Sequence, residues 1–509
     1  MKLAGRTAIL TRPHDPTEDR NLMLYTIKLH PEITIKTKPV RQLMTKSLAQ
    51  NTRNVLRRIH PDVTVRNDWD SILVRTPDAT EDRINEAIEE ALECIPGIAF
   101  YNAVVDFPLG DFDDMVRDTL SVWREDLAGK TFCVRVKRSG HHDFSSVDAE
   151  RYVGGGLNKF TDAAGVRLKH PEVEVKLEIK RNRVYVVKQR RRGMGGYPLG
   201  TQETVLSLVS GGFDSTVAAY QMLRRGVKSH FLFFNLGGAA HENGVKEVIY
   251  YLWKKFGSSH KVNFVSVPFE GVVEEILSKV EDRYMGVVLK RMMMRAAEQV
   301  ATYQRIPALV TGEAIAQVSS QTLPNLSHID DVTDSLVIRP LIVTDKPEII
   351  DIARNIGTAT FAERMPEYCG VISRKPNAAC KRVDVEAAET DFDWAVLEQA
   401  VEAAKTEAID EMTWVSQDDL EADLDAPADS DRPVTVIDVR HPTEAEVSPL
   451  ELAGQEVLQI PFYSLNRRFG GLDPDVHYLL YCDKGVMSKL HALHLKDAGF
   501  DNVGVYHRD

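Results

Sequence analysis

From about residue 200 the chain sets short apolar runs at intervals: VLSLV, HFLFFNL, VNFVSVPF, ALVTGEA and LVIRPLI. Helical stretches such as VKEVIYYLWKKF, and EEILSKV through AAEQVATYQ, separate the first four. Short buried strands alternating with helices predict a parallel sheet with crossover helices. The ligand site of such a sheet lies beyond the C-terminal ends of its strands. Upstream the pattern differs. IKLHPEITIK alternates, QLMTKSLAQNTRNVLRRI has helical spacing and SILVRT is a short strand, so residues 23–85 read as a small α+β unit. Residues 86–190 repeat the theme with the helix INEAIEEALECI, the strand TFCVRVKR, a Gly-rich turn and a strand pair around VEVKLEIKRNRVYVVKQ. Residues 433–509 form a last compact α/β unit: VTVIDVR, HYLLYCDKGVMS, the helix KLHALHLKDAG and NVGVYH. Between residue 394 and this unit lies an acidic, Ala-rich linker, 395–432, expected to be mobile from 416 on. The predicted fold class is multidomain α/β and α+β, with the parallel-sheet α/β domain over 198–394.

Length agrees with this division, because 509 residues are too many for one core and suggest three or four domains. No apolar run approaches the roughly 18 residues that span a membrane. The N-terminal MKLAGRTAILTRPHDPTEDR lacks the apolar region of a secretory signal. Residues 1–22 read as a loose extension or as the product of an upstream start, since Met23 opens the strand-like stretch. The five cysteines, Cys94, Cys133, Cys369, Cys380 and Cys482, form no CxxC pair. That supports neither a zinc ribbon nor a CxxC-held iron–sulfur cluster, and it points to a reducing cytoplasm. The net charge of −12 hides two opposite segments. Residues 130–192 hold 16 Lys/Arg against 7 Asp/Glu, and residues 383–431 hold 17 Asp/Glu against one Lys. The first suits a polyanion and the second repels one.

Ser210-Gly211-Gly212-Phe213-Asp214-Ser215 follows the strand VLSLV directly and precedes the helix TVAAYQMLRR. Glycines let the backbone turn tightly and approach a ligand, and N–H groups at a helix N-terminus point at an anion. Ser210 and Ser215 add hydroxyls, and Asp214 is suited to holding a magnesium ion. The chain has no GxxxxGK[ST], so this is not a Walker loop. SGGFDS after a strand instead resembles the PP-loop of the ATP-pyrophosphatases, which adenylate an oxygen of their substrate. NLGGAAHE (235–242), VVLKRMMMRAA (287–297), LVTGEAIAQVSSQT (309–322) and MPEYCGVIS (365–373) narrow the resemblance to the tRNA 4-thiouridine synthetase (thiamine-biosynthesis sulfurtransferase) family. The resemblance covers nearly all of residues 23–509. It implies that Leu208 and Val209 line the adenine site and that Lys290, Gly312 and Gln321 complete ATP binding. Lys346, in VTDKPE, is a second candidate cation.

Cys482 opens CDKGVMS, after the strand YLLY and before a helix. Loop amides and a helix N-terminus stabilise a thiolate, or the anion of a persulfide, and Lys484 adds positive charge. The segment resembles the rhodanese active-site loop, and VIDVR resembles an aspartate-bearing rhodanese strand. Asp438 is expected to order the loop or to pair with Arg440. Met487-Ser488 closes the loop where many rhodaneses carry Arg, which favours a protein persulfide from a cysteine desulfurase over thiosulfate. The family resemblance implies that Cys369 attacks the Cys482 persulfide and leaves a Cys369–Cys482 disulfide. Cys94, Cys133 and Cys380 read as structural.

KRSGHHDFSSVDAERYVGGGLNKF (137–160) resembles the THUMP domain of RNA-modifying enzymes, with residues 23–85 as its ferredoxin-like neighbour. Lys137, Arg138, Lys159, Arg190, Arg191 and Arg192 are the candidate phosphate contacts. The family resemblance implies an enzyme that uses ATP and Mg2+ to adenylate uridine 8 of tRNA and replaces O4 with sulfur, and that also supplies sulfur to a thiamine sulfur-carrier protein. Two alternatives stay open from the residues. One is a PP-loop enzyme delivering nitrogen, and the other is an RNA-binding sulfur relay without adenylation.

Overall fold

The computed structural model describes residues 24–506 apart from 69–70, 78–81, 237, 366–371, 373–374, 415–431, 441–444, 447, 451, 453–456, 483–487, 489–490, 493–494 and 497. These fall into two compact units, one reaching Thr201 and including Arg224–Gly226, the other formed by Gln202–Leu223 and the chain from Val227 onward.

The first unit is built on one eight-stranded sheet. Its strands are β1 (Leu24–Leu29), β2 (Thr64–Asp68), β3 (Ser71–Arg75), β4 (Ile98–Pro108), β5 (Thr131–Ser139), β6 (Gly165–Val166), β7 (Val173–Lys180) and β8 (Arg183–Arg192), in the order β2-β3-β1-β4-β8-β7-β5-β6. β4 pairs β1 on one side and β8 on the other, so it joins the halves that the sequence pattern separates. The alternating run IKLHPEITIK is strand only as far as Leu29, because Pro31 opens a helical turn, Pro31–Thr34. The helix Asp82–Cys94 follows the first half in sequence and also packs there, burying Ile88 and Leu92 beside Ile27, Leu48 and Ile72.

The expected Gly-rich turn is not a turn. Gly154, Gly155 and Gly156 lie inside the helix Ser146–Phe160. Ser145 and Asp148 form a reciprocal capping box at its start, which satisfies two orphan N–H donors and fixes where the helix begins. At Gly156 a Cβ would sit 2.6 Å from the methyls of Val116, so its small size admits the helix Phe112–Trp123 close against this one. The packing requirement outweighs the helix cost of glycine, about 1 kcal/mol per residue.

In the second unit, β9 (Gln202–Leu208), β10 (Val227–Asn235), β11 (Asn263–Pro268), β12 (Ala308–Val310) and β13 (Leu336–Ile338) are the five strands predicted from apolar runs. They run parallel in the order β13-β12-β9-β10-β11. β14 (Lys405–Ala408) adds antiparallel to β11, and the helix Trp394–Glu402 before it buries Leu397 and Ala400. The start of the acidic stretch is therefore part of the sheet domain: its apolar positions fall on one helix face, and the charges stay on the other. The expected mobile stretch from 416 lies, up to 431, outside the described residues. A last sheet is parallel, β16-β15-β17-β18, from β15 (Val434–Asp438), β16 (Val457–Gln459), β17 (His477–Tyr481) and β18 (Val503–Val505). Among the described residues no helix is long and apolar enough to cross a membrane.

Candidate active site

A cavity of about 660 Å³ opens at the C-terminal ends of β9, β10 and β12, where the parallel topology predicts it. Leu208 and Val209, at the end of β9, line it, and the Val209 N–H donates to the Leu232 carbonyl at 2.8 Å, which ties the loop's entry to β10. The loop then turns through Gly211 at φ +79°, a conformation that side chains rarely adopt. Helix Phe213–Arg224 starts immediately, with Asp214 in its first turn. Ser215 Oγ accepts from the Ser210 N–H at 3.1 Å and lies 3.3 Å from Ser210 Oγ, so the two serines brace the loop across its own width. Ser210, Gly212, Phe213, Asp214 and Ser215 all line the cavity.

The Asp214 carboxylate is held from two directions. Lys346 Nζ donates to both of its oxygens at 2.8 Å, and Gln317 Nε2 donates at 2.9 Å. Lys346 is the first residue of the helix Lys346–Ile356, and its ammonium also lies over the Phe213 ring. The candidate cation of VTDKPE is thus brought to the loop from more than 130 residues away in the chain. Gly312, just past β12, presses against the same helix start. A Cβ there would fall 2.6 Å from the Asp214 carbonyl carbon and 2.7 Å from the Ser215 nitrogen. Gln321 lines the cavity and accepts from the Ala314 N–H at 3.4 Å.

Lys290 reaches the cavity from the helix Asp282–Gln304, where its ammonium contacts Glu313 at 2.7 Å. Burial alone would raise the Glu313 carboxyl. The Lys290 and Arg339 cations overcome that and hold it down at about 2. Glu313, Gln317 and Arg339 were not found by sequence reasoning, and neither were Phe233, Phe234 and His241. Phe233 and Phe234 stand near the end of β10 and line the cavity. His241 lies edge-on to Phe233, and burial pushes its imidazole down to about 3, so it is neutral at pH 7. One signal could have found the phenylalanines. They stand near the C-terminal end of a parallel strand, where such sheets bind ligands.

Cys482 follows β17 and is a free, buried thiol. Its sulfur accepts the Ser488 N–H at 3.4 Å and lies 3.5 Å from Ser488 Oγ, so a buried sulfur has polar partners rather than hydrocarbon alone. The loop between them, 483–487 with Lys484 and Met487, lies outside the described residues. Asp438 pairs with Arg440, one of the two expected arrangements: the guanidinium donates to both carboxylate oxygens at 2.7–3.2 Å and lies over the Tyr481 ring next to Cys482. Cys369 lies outside the described residues, while Met365 and Ile372 on either side of its segment line the cavity. Cys94, Cys133 and Cys380 are buried, and burial pushes the Cys133 and Cys380 thiols up.

In the first unit the arginine cluster divides. β8 is extended, so alternate side chains face opposite ways. Arg191 stands opposite Tyr101 and is committed to Glu89 at 3.3 Å and Glu93 at 3.2 Å. Arg192 is exposed, and Arg190 is exposed and stacks over Phe100 at 3.5 Å. Lys137 and Lys159 are exposed, whereas Arg138 donates to the His142 carbonyl at 3.2 Å.

Four family models match in chain order: a ThiI ferredoxin-like domain over residues 25–101, THUMP over 110–187, thiamine biosynthesis protein (ThiI) over 200–394 and a rhodanese-like domain over 416–508. A tRNA sulfurtransferase of Saccharophagus degradans is 52% identical over 95% of this chain and 100% of its own length. Another, of Pseudomonas fluorescens, is 54% identical over 95% of this chain and 99% of its own. The chain belongs to the tRNA sulfurtransferase family. Among solved structures, a 4-thiouridine synthetase–RNA complex with bound ATP matches with TM-score 0.66 and 25% identity, over 76% of this chain and 100% of that one. PH1313 from Pyrococcus horikoshii Ot3, at TM-score 0.53 and 17% identity over 66% of this chain and 99% of its own, shares the fold.

Proposed function

We propose that this tRNA sulfurtransferase adenylates a uridine of tRNA, at position 8 as in the family it resembles, and replaces its O4 with sulfur carried on Cys482. The observation that carries the reading is one chain holding both a PP-loop at the mouth of a nucleotide-sized cavity and a thiol cradled by an N–H and a hydroxyl. Full-length relatives named for tRNA sulfur transfer support it.

ATP is consumed, so it is a co-substrate. Its adenine fits the apolar side of the cavity at Leu208, Val209, Phe233 and Phe234. Its phosphates fit the amides of 210–215 and the ammoniums of Lys290 and Lys346. Asp214 would hold Mg2+: among the described residues no cluster of three or more acidic, His or Cys side chains exists, so phosphate oxygens would complete the set. Lys346 now donates to both carboxylate oxygens, so Mg2+ would bind there with that ammonium turned toward the phosphates, since two cations on one carboxylate repel. Bound there, Mg2+ would neutralise phosphate charge.

In the first half-reaction uridine O4 bonds the α-phosphorus, the bond to the bridging oxygen breaks and pyrophosphate leaves with its electron pair. In the second, sulfur from the Cys482 persulfide bonds C4, and AMP departs with O4. Cys369 attacks Cys482 Sγ and breaks its bond to the terminal sulfur, either before transfer, so that the sulfur leaves as hydrosulfide and bonds C4, or after it, so that the sulfur stays on C4 of the product. Either way a Cys369–Cys482 disulfide forms and a dithiol must reduce it. A cysteine desulfurase would load Cys482, and a thiamine sulfur-carrier protein would be a second acceptor. The low cysteine usage and the need for a thiol reductant suit the cytoplasm.

Incubation with tRNA, Mg-ATP, a cysteine desulfurase and labelled cysteine tests the reading. Label in tRNA as a thionucleoside, dependent on ATP, is expected. Label that appears equally without ATP would leave a sulfur relay without adenylation.

Arg192 would meet RNA phosphates. Arg192→Ala is expected to lower the slope of log K against log salt for tRNA binding by about 1. Arg191→Ala is expected to leave that slope unchanged, because its charge is spent on Glu89 and Glu93. Filter binding between low and moderate salt measures both.

A further inference from the structure

Glu313 lines the cavity as the centre of a charge network. One carboxylate oxygen contacts Lys290 Nζ at 2.7 Å. The other accepts Arg339 Nε at 2.8 Å and Thr311 Oγ1 at 3.0 Å. Arg339 is anchored in turn by two hydrogen bonds to Asp330, at 2.9 and 2.6 Å. The network therefore alternates in sign, from Lys290 through Glu313 and Arg339 to Asp330. Lys290, Glu313 and Thr311 line the cavity, and Lys290 is the member with freedom to move, on a flexible four-carbon stem. A long ammonium aimed at a phosphate costs side-chain entropy unless something fixes it beforehand. Among the described residues the other charged groups lining the cavity are Asp214 and Lys346, which are bonded to each other.

We propose that Glu313 is a positioning residue for adenylation: its carboxylate fixes the Lys290 ammonium at the cavity wall, and Arg339 with Thr311 fixes the carboxylate. This rests on the reading of the cavity as the ATP site. Glu313 never touches the reacting atoms. It acts by making Lys290 a preorganised cation rather than a mobile one. Sequence reasoning had no route to it, because the partners of the network come from two helices and two strand ends.

The test is ATP- and tRNA-dependent pyrophosphate release by the full chain, with each substrate titrated separately. Glu313→Gln is expected to raise KM for ATP on the order of 10- to 100-fold, the range for losing one charged hydrogen bond. KM for tRNA and loading of Cys482 by a desulfurase should not move. Lys290→Met should give the same loss, and the Lys290→Met/Glu313→Gln double variant should be no worse than either single. Losses that add in the double variant, or an unchanged KM for ATP in Glu313→Gln, would overturn the proposal. If Glu313→Gln does not fold because Arg339 is left uncompensated, Glu313→Gln/Arg339→Gln removes both charges. That variant should fold and keep the raised KM; a parent-like KM in it overturns the assignment. A parent chain that binds no ATP overturns instead the reading beneath it.

Discussion

Cys482→Ser is expected to lower sulfur incorporation into tRNA by at least about 10³-fold, the scale seen when a covalent nucleophile is removed. A hydroxyl fills nearly the same space and keeps the Ser488 contacts, so the last domain should fold as before. It cannot carry sulfane sulfur, so no persulfide forms whatever the donor. The sulfur lies on the four-stranded sheet, and the nucleotide loop lies on the six-stranded one. Pyrophosphate release with tRNA and ATP should therefore continue at close to the parent rate in a single turnover. The measurement pairs labelled sulfur in tRNA with labelled pyrophosphate from the same incubation. Label that persists in the Ser variant would mean that sulfur reaches the base without Cys482, and the rhodanese-like domain would lose its assigned purpose.

How much of this was legible in the sequence depended on whether a feature is local. The five parallel strands were, because each contains a short apolar run, buried in β9, β10, β11 and β12 and partly buried in the edge strand β13. The 210–215 loop was, because strand, glycines and helix start are contiguous. Cys482 was in part: it follows its predicted strand, while the loop 483–487 after it lies outside the described residues. Misread features were those in which a distant partner overrides a local signal. Three successive glycines suggest a turn, yet Ser145 and Asp148 start a helix ahead of them and Val116 needs the space at Gly156. An acidic composition suggests a linker, yet Lys405–Ala408 finds an unpaired edge at β11. The triplet Arg190-Arg191-Arg192 suggests one basic patch, yet strand alternation turns the middle residue toward two glutamates. The network behind Lys290 was out of reach, since Glu313, Arg339 and Asp330 become neighbours only in the folded sheet domain.

Asp214→Asn is expected to lower adenylation about 10²- to 10³-fold, the usual scale for removing one preorganised electrostatic group at a reacting centre. The substitution keeps shape and removes charge. Lys346, now donating to its two oxygens, would face a neutral amide and lose its fixed position. Gln317 would hold an amide in place of a carboxylate, and Mg2+ would lose the carboxylate proposed to hold it. Because three groups depend on this carboxylate, the loss should exceed that of any single donor around it. Stability should change little, since the side chain is partly open to the cavity rather than enclosed. Persulfide loading of Cys482 should stay at the parent level, the mirror image of Cys482→Ser. The two variants together thus separate the half-reactions: one stops sulfur and spares ATP, the other stops ATP and spares sulfur. Should Asp214→Asn also stop persulfide loading, the two centres would not be independent, and sulfur acceptance would have to wait on nucleotide binding.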